Sequence, residues 1–247
     1  MMRNATDLGK EIFLESSVVQ LRGDLALALR AAAYHGFGEG VCNHFSIALP
    51  HRPNLFLLNP RGLMWEEIQA DDIVIVDGDG NKIAGHHEIE PTAMFIHAAI
   101  HRITKKSCVL HSHMPYASAL TLTVNCGLDT TLSQNAMRFH NRIVMDRKYN
   151  GFALDHSEGE RIANAMAGAD IVFLGNHGVV VCNNRIDYAY DDLYFLERAC
   201  SAEVLARSTR LDLATVSEDI CEKVAMQVDS ERLQSELFFK ALGRKLS

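Results

Sequence analysis

Apolar positions in the first part of the chain recur at helical spacing, and the Leu- and Ala-rich tract over about residues 8–34 predicts one helix, ended by Gly36 and Gly38. The pattern then shortens to strand-like runs at His44–Leu49, 55–58 and 73–77. Gly78-Asp79-Gly80-Asn81 turns the last of these into a short run at 82–84. Pro91 opens a predicted helix over 92–103, because a proline's missing N–H is not needed in a first helical turn. An apolar run at 108–110 leads directly into His111. Ser157-Glu158-Gly159-Glu160 reads as a capping box that starts a helix reaching about residue 167. Ile171–Leu174 and 179–182 have the continuous apolar character of buried strands, separated by Gly175-Asn176-His177-Gly178. Two helices follow, over 186–208 and about 217–242. Short strands interleaved with helices predict an α/β layered architecture around a mostly antiparallel sheet.

Composition narrows the function classes. The chain has 247 residues with no repeat, low-complexity stretch or Pro/Gly/Ser-rich linker, and it reads as one domain over 1–247. Hydrophobic residues make up 48% and charged residues 22%, which excludes a disordered chain. A net charge of −7 argues against nucleic acid or an anionic membrane as partner. No apolar run approaches the roughly 20 residues of a membrane span. The first residues lack the basic-then-apolar layout of a signal peptide, so the expected location is the cytoplasm. The six cysteines form no C-x-x-C pair and read as small buried hydrophobes kept reduced.

The twelve histidines carry more information. His111 and His113 flank a serine at a strand end, and residues two apart on a strand share a face. His177 lies in a tight turn between two apolar strands. Three histidines on rigid elements, with a coordination position left open, suit a catalytic rather than a structural metal. His97 and His101 are four apart on the 92–103 helix and read as interior groups that orient the ligands through hydrogen bonds. His44 reads as a further active-site histidine, whereas His86 and His87 read as solvated loop residues. Asp77, Asp79, Asn81 and Glu88 fall at the first, third, fifth and twelfth places of a calcium loop, but the glycine place holds Lys82 and the flanks are strand-like, so the segment is a hairpin turn. Gly36-Phe37-Gly38-Glu39-Gly40 follows a helix rather than a strand, which excludes a dinucleotide fingerprint.

Asn43-His44-Phe45-Ser46, Asn59-Pro60-Arg61-Gly62-Leu63, Glu90-Pro91-Thr92, His111-Ser112-His113-Met114-Pro115 and Gly175-Asn176-His177-Gly178 recur in an order that resembles the class II aldolase/adducin family. The resemblance covers about residues 20–208. It implies a three-layer α/β/α fold around a largely antiparallel sheet. It implies a Zn²⁺-type centre on His111, His113 and His177, and a homotetramer with active sites between subunits. Sugar-phosphate aldolases of the family carry P-S-S-E ahead of the H-x-H motif. Counting back from His97, that glutamate falls on Ala93 here. The family's glycine-threonine phosphate loop is replaced by Gly40-Val41-Cys42-Asn43, and its later tyrosine has no equivalent in Leu132-Ser133-Gln134-Asn135.

These departures point to the adducin-like and decarboxylase-like branches. The expectation is a divalent-metal-dependent carbon–carbon lyase, a decarboxylase or aldolase, acting through an enolate on a small unphosphorylated hydroxy- or keto-acid. A non-catalytic adducin-like interaction module and a sugar 4-epimerase are the alternatives. Zn²⁺ is the expected ion, with Mn²⁺, Co²⁺ and Fe²⁺ compatible with three imidazoles. Glu90, His44 and Tyr149 are the candidate acid/base groups. Asn43, Ser46, Arg61, Gly62 and Thr92 are the candidate substrate contacts, Arg61 being suited to a carboxylate.

Overall fold

The computed structural model describes residues 5–152, 155–166 and 168–246. In chain order the elements are α1 (Ala5–Phe13), α2 (Ser16–Tyr34), β1 (His44–Leu49), β2 (Arg52–Leu58), β3 (Val74–Asp77), β4 (Lys82–Ala84), α3 (Pro91–Thr104), β5 (Cys108–Ser112), α4 (Pro115–Thr121), α5 (Gln134–Met137), β6 (Ile143–Asp146), α6 (His156–Ala165), β7 (Ile171–Leu174), β8 (Val179–Asn183), α7 (Ile186–Ser208), α8 (Glu218–Ser230) and α9 (Leu233–Leu246). The strands form one sheet in the order β4-β3-β2-β1-β5-β8-β7-β6. Every neighbouring pair is antiparallel except β6 and β7.

Side-chain alternation along the central strands builds the two outer layers. Cys108 and Leu110 of β5, with Val179 and Val181 of β8, pack into a core shared with α2, α7 and α9. Val109, Val180 and Cys182 point the other way, onto Ile96 and Ile100 of α3 and Ile162 of α6. Phe56, Leu58, Val74 and Val76 extend that second face under Ala93, Met94 and Ala98. The α/β/α layering is therefore present, and among the described residues no helix is long and apolar enough to cross a membrane.

Two predicted helices are each broken, and in both cases an arginine–carboxylate contact accompanies the break. The 8–34 tract divides at Glu15, whose backbone is extended (φ −60°, ψ 133°) and whose carboxylate takes both ends of Arg52 at 2.7 and 2.8 Å. The 217–242 tract divides before Leu233, where Arg232 reaches across to Asp192 at 2.9 Å. Asp192 also receives Arg142 at 2.6 Å. Burial works to raise this carboxyl, but Arg142 and Arg232 overcome it and hold Asp192 below the usual aspartate value.

Smaller corrections have equally local causes. α6 starts before the expected Ser157 box because Asp155 is the cap, accepting the Ser157 and Glu158 N–H groups at 2.9 and 3.3 Å. The helix ends at Ala165, and residue 167 lies outside the described residues. α4, α5 and β6 are four to seven residues long, too short to show a period. Cys42 is exposed, unlike the other five cysteines. His87 is not simply solvated: it bonds Asp72 at 2.9 Å.

Glu197 of α7 is 5% exposed and accepts the backbone N–H groups of Tyr116 and Ala117 at 2.7 and 2.8 Å, so it caps α4 from a different helix. Burial pushes its carboxyl up to about 7 from the ordinary 4.5, against the pull of those two donors. The folded chain thus holds a proton there that the unfolded chain releases, and stability falls as pH rises from about 4.5 through about 7. One pKa unit is worth about 1.4 kcal/mol, so the loss is about 3 kcal/mol. Glu197→Gln lacks this titration: its stability relative to wild type, from denaturant melts at pH 5 and pH 8, is expected to improve by that order at the higher pH. A difference that stays constant would remove the assignment.

Candidate metal centre

His111 is the penultimate residue of β5, His113 lies one residue beyond the strand, and His177 sits in the turn joining β7 to β8. Their rings form a triangle, with centroids 5.0 Å apart for His111 and His113, 4.8 Å for His111 and His177, and 4.7 Å for His113 and His177. One nitrogen from each lies within 4.8 Å of the others, close enough for the three to hold one ion.

Hydrogen bonding prepares two of the rings for that role. The Val179 carbonyl can only accept, so the His111 Nδ1–H donates to it at 3.0 Å and leaves Nε2 as a lone pair. The Nδ1 of His113 bonds the Glu39 carboxylate, and its buried Nε2 has no partner among the described residues. A buried nitrogen without a partner, grouped with two other imidazoles, fits a cation ligand. Burial, reinforced by the neighbouring rings, holds His111 well below the usual histidine value. Burial and His113 lower His177 to about 4, opposed by the charges of Glu39 and Glu158. Both rings are therefore neutral near pH 7, the protonation state a metal ligand needs.

The backbone around the triad is tightly determined. β5 and β8 pair with His111 opposite Val180 and Ser112 opposite Val179. Asn176 takes a left-handed conformation at φ 57°, and Gly178 follows His177 where a Cβ would lie 2.6 Å from His113 Cδ2 and 2.8 Å from the Ser112 carbonyl oxygen. Ser112 Oγ donates to the Phe37 carbonyl at 2.8 Å, which draws the 36–42 loop and Glu39 towards β5. On the far side, the Glu197 cap fixes the backbone just after His113–Met114.

The other expected residues divide into two groups. His44 pairs with His111 across β1 and β5, and its ring stacks 6.4 Å from that of His111. Burial, with His113 and His177 adding to it, lowers His44 to about 3. Asn43 is buried at φ 72°, and both polar atoms of its side chain lack partners among the described residues. Asn59 braces this point by accepting the Phe45 N–H at 2.9 Å and donating to the Asn43 carbonyl at 3.3 Å. Tyr149 is exposed, with its ring centroid 6.3 Å from that of His177.

Arg61 and Glu90 instead pair with each other at 3.0 Å, Glu90 preceding α3 without capping it by its side chain. Gly62 takes φ 86° beside Arg61, and Thr92 is half-buried at the start of α3. Ser46 is fully buried and bonds His97 and His101. Those two histidines are interior, as expected, but they bond Ser46 rather than the ligand rings. Ala93 is fully buried in the apolar cluster with Phe56, Leu58, Val74 and Val76.

The sequence reading passed over Glu39 and Glu197. An acidic residue isolated between Gly38 and Gly40, shortly before the Asn43-His44 motif, was a usable signal for Glu39. Glu197 carried none, since it falls in an ordinary helical pattern.

A model of the Class II Aldolase and Adducin N-terminal domain matches residues 23–204. The chain belongs to this family. A Pseudomonas aeruginosa protein named for the class 2 aldolases is 34% identical over 237 residues, spanning 92% of this chain and 89% of that one. Decarboxylase NovR of Streptomyces niveus is 29% identical over 203 residues, spanning 81% and 73%. The crystal structure of an aldolase II superfamily protein from Pseudomonas syringae superposes with a TM-score of 0.87 at 29% identity, covering 94% of each chain. Class II aldolases are generally dependent on a divalent metal, and the triad supplies a donor set for one.

Two substitutions test the geometry. Gly178→Ala puts a methyl group into His113 and the Ser112 carbonyl, so titration calorimetry with Zn²⁺ should show binding abolished in a protein that still folds. Glu39→Gln removes the carboxylate behind His113 and should weaken Zn²⁺ about 10- to 100-fold. Wild-type affinity in both variants would mean the three histidines do not form the site.

Proposed function

We propose that the chain is a divalent-metal-dependent carbon–carbon lyase, a decarboxylase or aldolase, acting on a small unphosphorylated hydroxy- or keto-acid. The observation that carries this reading is the convergence of His111, His113 and His177, with the Nε2 of His113 left without a partner among the described residues. His111, His113 and His177 would hold a divalent cation, most simply Zn²⁺, whose Lewis acidity would polarise a substrate carbonyl and stabilise the charge left by a breaking carbon–carbon bond. Loss of carbon dioxide needs no base at that step, which suits a site without a carboxylate at Ala93. The name of the Streptomyces relative agrees with this choice.

The same proposal gives the remaining residues their roles. Arg61 is exposed and half-committed to Glu90, so a substrate carboxylate exchanges for Glu90 on its guanidinium, with Gly62 and Thr92 bordering the contact. Asn43 offers its unpartnered amide to a substrate oxygen. Burial keeps His44 neutral; the negative charge of a bound acid favours its protonated form, which supplies the proton that replaces the carboxyl group. Glu90, once released, and Tyr149 are the other proton carriers. Leu122, Val124 and Phe152 are 67, 87 and 80% exposed, and a homotetramer with sites between subunits would cover such side chains.

Elemental analysis of protein purified without chelator, followed by a screen of small hydroxy- and keto-acids for carbon dioxide or aldehyde release, tests the reading. The expected result is about one ion per chain and turnover on at least one acid, with His113→Ala abolishing both while the circular dichroism spectrum is unchanged. A chain that stays metal-free after incubation with Zn²⁺ and Mn²⁺ would instead favour an adducin-like module, the reading that the buried Ala93 supports.

A further inference from the structure

Behind His44 lies a buried polar chain that the metal centre does not explain. His101 Nδ1 is 2.8 Å from the Lys106 carbonyl, His101 Nε2 is 2.7 Å from Ser46 Oγ, and Ser46 Oγ is 2.6 Å from His97 Nδ1. Each bond has only one direction. A carbonyl accepts, so His101 carries its proton on Nδ1. Burial keeps His101 neutral, so its Nε2 accepts and the Ser46 hydroxyl donates to it. The Ser46 oxygen must then receive the Nδ1–H of His97. His97 is also kept neutral by burial, so its Nε2 is a bare lone pair, and that atom is buried with no partner among the described residues. His44 packs edge-on against His97, with centroids 6.1 Å apart, and lies on the same side of the sheet as His111.

We propose that Ser46, His97 and His101 are positioning residues: a chain of fixed tautomers, anchored on the Lys106 carbonyl, that sets a buried lone pair in the ring packed edge-on against His44 and, through its field rather than a hydrogen bond, biases which His44 nitrogen carries the proton. The functional importance of this preset rests on the lyase reading, since it matters to turnover only if His44 works in the site. The tautomers themselves do not depend on that reading. A purely structural cluster would need the hydrogen bonds but would make no demand on which nitrogen of His44 is protonated. β-Strand alternation accounts for the arrangement, because His44 and Ser46 share the face of β1 that α3 covers with His97 and His101.

Ring ¹⁵N resonances of the full-length protein, labelled at histidine and measured by solid-state NMR in the metal-stripped form, report the tautomers directly. The expected result is Nδ1-protonated His97 and His101, identified by their loss in the single variants. Ser46→Ala should shift the His44 ring nitrogens towards the free-histidine tautomer mixture. Should Ser46→Ala not fold, His97→Gln and His97→Leu replace it: the glutamine carbonyl restores an acceptor and keeps the His44 signal, and leucine loses it. Once a substrate is known, His97→Leu should lower kcat about 10- to 100-fold with KM nearly unchanged, and His97→Gln should recover most of it. Nε2-protonated His97 in the wild type, or His44 nitrogens indifferent to all three variants, would overturn the proposal. Failure to find metal or turnover with the tautomers as described would overturn only the lyase reading.

Discussion

The closest approach in the site is made where there is no side chain at all. Gly178 lets the turn carrying His177 settle against His113 and the Ser112 carbonyl, and a single methyl group there would meet both at under 3 Å. The same antiparallel pairing of β5 with β8 sets the Val179 carbonyl beside His111, so one backbone register brings the rings together and chooses the tautomer of one of them. Because β5 and β8 are central strands, buried on both faces by α2 and α7 on one side and α3 and α6 on the other, this register has little freedom to slip.

Crowded imidazoles would repel one another if charged, and the fold avoids that by burial. His111, His177, His44, His97 and His101 are all held below the ordinary histidine value, with burial the leading cause in each. The result is a row of neutral rings, each able to donate from one nitrogen and accept at the other, running from the sheet interior under α3 to the histidine triad. Carboxylates stand at the rim rather than in the row: Glu39 behind His113, and Glu158 close enough to act on His177. That separation leaves the lone pairs inside free for ligation and hydrogen bonding.

Much of the fold was legible because its strands are short, apolar and closed by marked turns. His44–Leu49 and Ile171–Leu174 match their expected bounds. So does the long helix Ile186–Ser208. What escaped were features fixed by distant partners. Glu15 and Arg232 lie in tracts of good helical pattern, and the contacts that accompany the breaks there come from Arg52 and Asp192, far off in the chain. In the site, the H-x-H pair and the turn histidine were visible as motifs, and they do converge. Glu197 was invisible for the opposite reason: its helix is ordinary, and only the tertiary structure shows it capping α4. Arg61 and Glu90 were read as separate groups, and nothing in their spacing, 29 positions apart, announces that they form one ion pair.

Position 93 shows how packing and chemistry are coupled in this branch. Ala93 sits at 0% exposure among Phe56, Leu58, Val74 and Val76, so a carboxylate in the same place would be buried in apolar surroundings and would need a cation or hydrogen-bond donors to stay ionised. With alanine there, the start of α3 closes down on the sheet as plain hydrocarbon, and no acid/base group projects from that helix turn. On the facing wall, β1 carries His44, and the preceding loop carries Glu39. It is on this wall that the structure concentrates its polar support: Asn59 bracing the start of β1, Ser112 holding the Phe37 carbonyl, and Ser46 bridging two histidines under the strand. Asn43, with a buried amide, and His97, with a buried Nε2, each lack a hydrogen-bond partner among the described residues, at a cost of about 1–3 kcal/mol that apolar residues would avoid, so this wall stays polar at the expense of stability.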